Sequence, residues 1–311
     1  MGVLTASAAP AVSPTHYYRD GKAYRRVTTV LDMFSGKSDS GAAAAKMTAS
    51  GLARVIEEVA FGIVHPQLQD HADDLAGFFA TDDGKRFVSG RYFAELGAYA
   101  DMGTLVDLAL QEVLQGNPAP DWVTWAQNQA AAMNESRKLT ALEYTQAEEA
   151  KDWAKVRELS GAPRFPVMVD FEDCAQRIKD GEGWLALNDV TPVAWQVALY
   201  DDALMVAGTP DCVALLPDGR HWVIDFKTSN NCPKPSHGAQ VVKYGDMWES
   251  QTQVPVGRYT AVYFTDKGAK PYDVKDIAAC RAMFHAALTM ADMGNPFARQ
   301  GSTALVPGGL L

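Results

Sequence analysis

The stretch AGTPDCVALLPDGRHWVIDFKTS, residues 207–229, leaves little choice of local structure. Pro217-Asp218-Gly219 carries turn chemistry: proline presets φ, aspartate hydrogen-bonds the backbone two residues on, and glycine accepts a positive φ. Apolar runs flank it, so the expected unit is a hairpin with strands over about 207–216 and 221–227. In the second strand Trp222, Ile224 and Phe226 alternate with Val223, Asp225 and Lys227, and the period of two sends Asp225 and Lys227 to one face. Counting back from the turn sets Asp211 opposite Asp225 or Phe226. A three-residue loop would pair it with Asp225 directly, with Cβ atoms about 4.5–5.5 Å apart.

Two carboxylates that close repel unless a proton or a cation lies between them, and one lysine cannot satisfy both. A divalent metal is the economical answer; a salt-bridge cluster on the open face of an antiparallel sheet is the bland alternative. Asp211 falls mid-strand in this reading, where aspartate is depleted and needs a reason. Gly208, at the strand start, would let a backbone or ligand approach closely. Pro217-Asp218 needs no role beyond the turn.

The rest of the chain reads as a helical half followed by strands. Asp20-Gly21 lies between aromatic-rich runs and predicts a short hairpin leading into a helix near Thr28–Phe34. Helical spacing recurs over 40–64, ending at His65-Pro66, and over 91–116, with Gly116 as the stop. Ala-, Glu- and Lys-rich sequence from Trp122 to Leu159 predicts one or two helices, and Asp170–Lys179 another. Residues 191–229 read as three consecutive antiparallel strands, followed by a helix over about 250–264, a short strand and a last helix through 281–290. The order is that of an α+β protein. The expected organisation is a flexible arm over 1–15, one domain over 16–300 with its helical part at about 28–180 and its sheet at about 185–295, and a flexible tail over 301–311.

With 28 Lys+Arg against 38 Asp+Glu the formal charge is -10, which argues against coating nucleic acid by bulk electrostatics but leaves room for a local basic groove. Cys174, Cys212, Cys232 and Cys280 show no CxxC pair and no zinc-finger histidine, so neither structural zinc nor an iron-sulfur cluster is signalled. Isolated thiols fit a cytoplasmic protein. No stretch approaches the ~18 apolar residues of a membrane span. His221 and His237 flank the hairpin region, and each reads as a surface histidine.

GTPDCVALL and WVIDFKTS together resemble the PD-(D/E)XK nuclease superfamily, in particular its RecB-like and phage exonuclease branch, where G-x-x-D precedes an apolar strand ending in D-x-K-T. YADMGTLVDLALQEVLQG is similar to the upstream helix block, usually G-T-x-x-H, and ESQTQVPVGRYTAVYF to the downstream helix with a Gln and a Tyr. RRVTTVLDMF is similar to the Val-Thr-Thr opening of phage members. Asp107 stands where the family has its His, and Gln196 where it often has a Glu. Gln253 and Tyr259 are six apart, against the usual spacing of four.

The resemblance implies a restriction-endonuclease-like core, a mixed and largely antiparallel sheet flanked by helices. It implies Mg²⁺, with Mn²⁺ able to substitute, held by Asp211, Asp225, the Phe226 carbonyl and Asp107, while Lys227 orients or deprotonates the attacking water. Gln196 would offer a neutral carbonyl, Gln253 and Tyr259 would support the site, and Thr228 would support the strand end. Lys234, Lys243 and Arg258 follow the hairpin and are candidates for a rim facing DNA phosphates. The implied activity is DNA hydrolysis by an exonuclease of phage recombination or replication, in the cytoplasm of an infected host. A single-strand annealing protein is the implied partner, and a homo-oligomer is compatible. An endonuclease, or an inactive DNA-binding or scaffold protein of the same fold, is the alternative.

Overall fold

The computed structural model describes residues 11–12, 16–31, 68, 75–117, 119–159, 167, 169–229 and 233–293. The helix expected over 40–64 and the expected tail lie outside them. Ala11–Val12, inside the expected arm, form β1 against β2 (His16–Arg19), which turns at Asp20-Gly21 into β3 (Lys22–Arg26). Both turn residues have positive φ, 51° and 73°, as a tight hairpin requires. Helix α1 (Val27–Leu31) follows at once.

The helical half comprises α2 (Leu75–Ala80), α3 (Asp82–Leu114), α4 (Trp122–Glu149), α5 (Trp153–Leu159) and α6 (Phe171–Leu187). Their ends obey capping chemistry. Thr81 Oγ1 accepts from Gly84 N, Asp121 from Thr124 N and Asp170 from Glu172 N and Asp173 N, so free first-turn N–H groups are satisfied. Helix α3 stops at Gln115, and Gly116 takes φ 75° just beyond.

The strand region departs from three antiparallel strands. Residues 191–227 form five: β4 (Thr191–Trp195), β5 (Leu199–Asp201), β6 (Val206–Gly208), β7 (Cys212–Leu215) and β8 (His221–Lys227). Strands β5 and β6 join the N-terminal hairpin in a sheet of order β1-β2-β3-β6-β5, in which β3 and β6 run parallel. Strands β4, β7 and β8 belong to a second sheet. The expected strand over 207–216 is split at Thr209-Pro210, because proline has no N–H for a ladder and ends pairing there. The chain uses that break to pass from one sheet to the other.

Beyond β8 the expected helix lies earlier in the chain than 250–264. Helix α7 spans Pro235–Thr252, with proline in its first turn, and the segment expected as helix is strand β9 (Val256–Thr265). Its run VGRYTAVYFT is β-branched and aromatic at most positions, and Gln253 in the left-handed region with Pro255 beyond it ends the helix first. Strand β10 (Gly268–Asp273) and helix α8 (Ile277–Met293) complete the chain. The second sheet has the order β10-β9-β8-β7-β4, antiparallel except for β8 with β9. It is the mixed, largely antiparallel sheet of an α+β protein.

The alternation along β8 sorts the two cores. Trp222, Ile224 and Phe226 pack with Leu105, Leu110 and Ile178 of α3 and α6. Val223 lies on the other face with Val241, Tyr244 and Trp248 of α7 and Phe284 of α8. Each fully buried apolar side chain contributes about 1.5–3 kcal/mol, so the register of β8 is fixed by burial on both faces. Asp225 and Lys227 inherit the α7 face.

Candidate active site

The turn at 217–219 closes as its residues dictate. Gly219 has φ 82°, its N–H donates to Leu216 O at 2.9 Å, and Asp218 Oδ1 accepts from Arg220 N at 3.0 Å. The ladder it sets pairs Cys212 with Ile224, so Asp211, one residue before β7, falls level with Asp225. Asp211 is therefore not mid-strand. It sits at the bend between the sheets, where no ladder constrains its side chain, and its Oδ2 accepts from Phe226 N at 2.6 Å.

A cavity of about 300 Å³ opens here. Asp107, Gln196, Asp211, Asp225, Lys227 and Thr228 line one side, with Gln240 and Tyr244 of α7 beside them. Gly103 of α3 lies so close to β8 that a Cβ there would stand 3.2 Å from Thr228 Oγ1, and Asp107 follows one turn later. Gly208 is needed for a similar reason. A Cβ on it would stand 2.4 Å from the Tyr244 ring.

The polar groups interlock. Gln196, held at φ 48° just after β4, donates from Nε2 to both oxygens of Asp107 and to Asp211 Oδ1, each at 3.2 Å. It thus turns its nitrogen, not its carbonyl, towards the carboxylates. Asp107 Oδ2 also accepts from Gln111 at 3.0 Å. Asp225, 1% exposed, accepts at Oδ1 from Gln240 Nε2 at 3.1 Å, and Gln240 also donates to the Tyr244 hydroxyl at 2.9 Å. Asp225 Oδ2 faces the Lys227 ammonium as an ion pair, with no aligned hydrogen bond among the described residues.

Burial raises the pKa of all three aspartates. It pushes Asp107 up to about 6, and lifts Asp211 well above the usual range with the charges of Asp225 and Asp107 adding to the effect. Asp225 is also raised by burial, against the pull of Lys227. Burial draws Lys227 down, but Asp225 and Asp211 outweigh it and the net shift is upward.

This is an oxygen-rich site that favours added positive charge. A hard divalent cation fits the donor set, and the buried Asp225 Oδ2, which faces the Lys227 ammonium, is the oxygen for which it would compete. Among the described residues no three His, Cys, Asp or Glu side chains already surround one point. The reason is visible: the Gln196 amide lies between Asp107 and Asp211, and Lys227 holds Asp225.

Several expected residues are elsewhere. Gln253 caps the end of α7, exposed, donating to Ser250 O at 2.8 Å. Tyr259 is buried against Gly245 in the core. Lys243 is buried in an ion pair with Asp201 at 2.5 Å, and Arg258 is paired with Asp273 and stacked 4.1 Å over Trp222, so neither forms the expected phosphate rim. Lys234 precedes α7 and lines a different cavity with His237. His237 is half-buried, with its Nδ1 2.6 Å from the Tyr263 hydroxyl, and His221 is not the expected surface residue but buried, accepting from Trp248 Nε1 at 2.8 Å.

Gln240 and Tyr244 hold the places expected of Gln253 and Tyr259. Their spacing of four is the one the resemblance asks for, and placing the helix at 250–264 passes over it. Tyr17 and Arg26, from the N-terminal sheet, also line the cavity, with the Arg26 guanidinium 5.5 Å from the Tyr17 ring. The Tyr17 hydroxyl is 2.8 Å from Thr209 Oγ1, fastening that sheet to the crossing segment. No local pattern marks these two, because only the β3–β6 pairing carries them there.

Comparison with known proteins matches a family model described as "PD-(D/E)XK nuclease superfamily" to residues 78–299. A solved structure described as "Crystal structure of SSO0001" is similar at 15% identity and a TM-score of 0.28, over 62% of this chain and 86% of that one. No curated protein matches.

Proposed function

Because the chain belongs to the PD-(D/E)XK nuclease superfamily, we propose that it is a metal-dependent hydrolase of DNA phosphodiester bonds, an exonuclease of phage recombination or replication type. The observation that carries the reading is the convergence of Asp211, Asp225 and Lys227 on one wall of a cavity that also holds Arg26. Three carboxylates call for a cation, while Lys227 and Arg26 supply the positive charge that a phosphodiester needs.

In this reading Asp211, Asp225 and the Phe226 carbonyl hold the cation, Mg²⁺ or Mn²⁺, with Asp107 as a further oxygen ligand. Bound there, it would neutralise phosphate charge and lower the pKa of water. Lys227 orients the attacking water and stabilises charge developing on the phosphorus oxygens. Gln240 fixes the Asp225 carboxylate through Oδ1 and is itself held by Tyr244, so the Asp225 rotamer is set before substrate arrives. Arg26 binds a backbone phosphate, with no reading of bases. Thr228 stays a strand-end residue, its carbonyl accepting from Arg177 at 3.2 Å.

The phage setting rests on the resemblance of the Val-Thr-Thr opening, and a single-strand annealing protein is the partner that setting implies. The test is titration of Mg²⁺ or Mn²⁺ with linear and covalently closed duplex DNA. Loss of the linear form alone supports the exonuclease, cutting of closed circles replaces it with an endonuclease, and no metal-dependent loss from either contradicts the enzyme.

A further inference from the structure

Lys227 and a divalent cation compete for the same oxygen. Asp225 Oδ2 is buried and its charged neighbour is the Lys227 ammonium. Even at an effective dielectric of 20, unit charges of one sign 4 Å apart repel by about 4 kcal/mol, and a divalent ion roughly doubles that. A cation that takes Asp225 therefore requires the ammonium to move. An ammonium displaced within a largely buried site needs a new acceptor.

The parallel ladder supplies one. Lys227 is in register with Tyr263 on β9, so the two side chains leave the sheet on the same face. Tyr263 is fully buried, its hydroxyl 2.6 Å from His237 Nδ1 and 3.3 Å from the Lys234 backbone N–H that donates to it. Burial, with repulsion from Lys227 and Lys234, lowers the His237 pKa to about 3, so the ring is neutral near pH 7 and Nδ1 can accept. With the Lys234 N–H directed at the phenol oxygen, the arrangement that satisfies all three groups has Tyr263 donating to Nδ1. A phenol whose hydrogen is committed in this way offers its oxygen as an acceptor.

We propose that Tyr263, oriented by His237, is the positioning residue that receives Lys227 when a divalent cation takes Asp225, so that cation binding and placement of the lysine are one coupled event. The inference rests on the reading of Asp211 and Asp225 as cation ligands. Tyr263 touches neither cation nor substrate in it. Its part is to give the lysine a second resting place at the same strand end.

The test is Mn²⁺ affinity without DNA, by calorimetry on the full chain, for wild type, Tyr263→Phe, Lys227→Met and the double variant. Tyr263→Phe is expected to weaken Mn²⁺ binding about tenfold, and to change it less than twofold once Lys227 is Met. Equal losses in both backgrounds mean that the ring only supports the fold, and an unchanged affinity in the single variant means that Lys227 does not use it; either overturns the inference. His237→Phe leaves the phenol without its acceptor, should give the same background-dependent loss, and decides the matter if Tyr263→Phe does not fold. Wild type that binds no Mn²⁺, or binding untouched by Asp225→Asn, overturns the cation reading itself, which is a different outcome from binding without coupling.

Discussion

Asp107 is the residue whose charge the fold tolerates at measurable cost. Burial raises its pKa to about 6, so between the ordinary aspartate range and pH 6 the folded chain binds more protons at this site than the unfolded chain. The contribution of Asp107 to stability therefore falls as pH rises through that window. Asp107→Asn should stabilise the protein in EDTA at pH 7, by on the order of 3 kcal/mol at about 1.4 kcal/mol per unit, and the gain should shrink towards pH 4. Denaturation at the two pH values measures it, and an equal gain at both would contradict the burial argument. Arg26→Ala should raise KM for DNA about tenfold with kcat nearly unchanged, as the loss of one charged phosphate contact predicts. At this scale the sequence told most about Asp211, Asp225 and Lys227, because a turn with fixed chemistry and a strict period of two leave one register. It told least about Gln196, whose backbone lies in the left-handed region, and about Arg26, which reaches the cavity through a pairing between strands about 180 residues apart.

Among the elements, β8 and its turn follow from local rules, whereas the helix expected over about 250–264 lies earlier, as α7, and β9 stands in its place. The run Val256–Thr265 has apolar residues at both helical and alternating spacings, and only its β-branched and aromatic character, with Gln253 and Pro255 ahead of it, favours the strand. Set in α7, Lys243 is not a rim cation but a strut between α7 and β5. Lys243→Ala should then cost about 1–3 kcal/mol by leaving Asp201 Oδ2 without its ammonium while Oδ1 keeps the Ala203 and Leu204 N–H groups, and the folded variant should bind DNA like wild type. A variant of normal stability with weakened DNA binding would restore the rim. Gly208→Ala places a methyl against the Tyr244 ring and should cost about 1–3 kcal/mol while loosening Gln240 from Asp225, read as a drop in kcat with the fold retained.

For the whole molecule, the cavity lies where two sheets meet. The β4–β7–β8 layer with α3 supplies the acidic wall, the N-terminal sheet supplies Tyr17 and Arg26, and Thr209-Pro210-Asp211 passes from one sheet to the other. The α+β class was legible from the order of elements, but the second sheet was not, since Pro210 hides the crossing inside what reads as one strand. A net charge of -10 disfavours DNA contact by bulk electrostatics, and in this cavity Asp107, Asp211 and Asp225 outnumber Arg26 and Lys227, so phosphate contact there depends on a bound cation. The most direct test is the rate of Mg²⁺-dependent cleavage of linear duplex DNA by wild type and by Asp225→Asn and Lys227→Ala, each checked for an unchanged Tm. The account predicts cleavage by wild type that EDTA abolishes and that each substitution lowers by about a hundredfold to a thousandfold. Wild-type rates in a folded Asp225→Asn variant, or no cleavage by wild type with either Mg²⁺ or Mn²⁺, would contradict it.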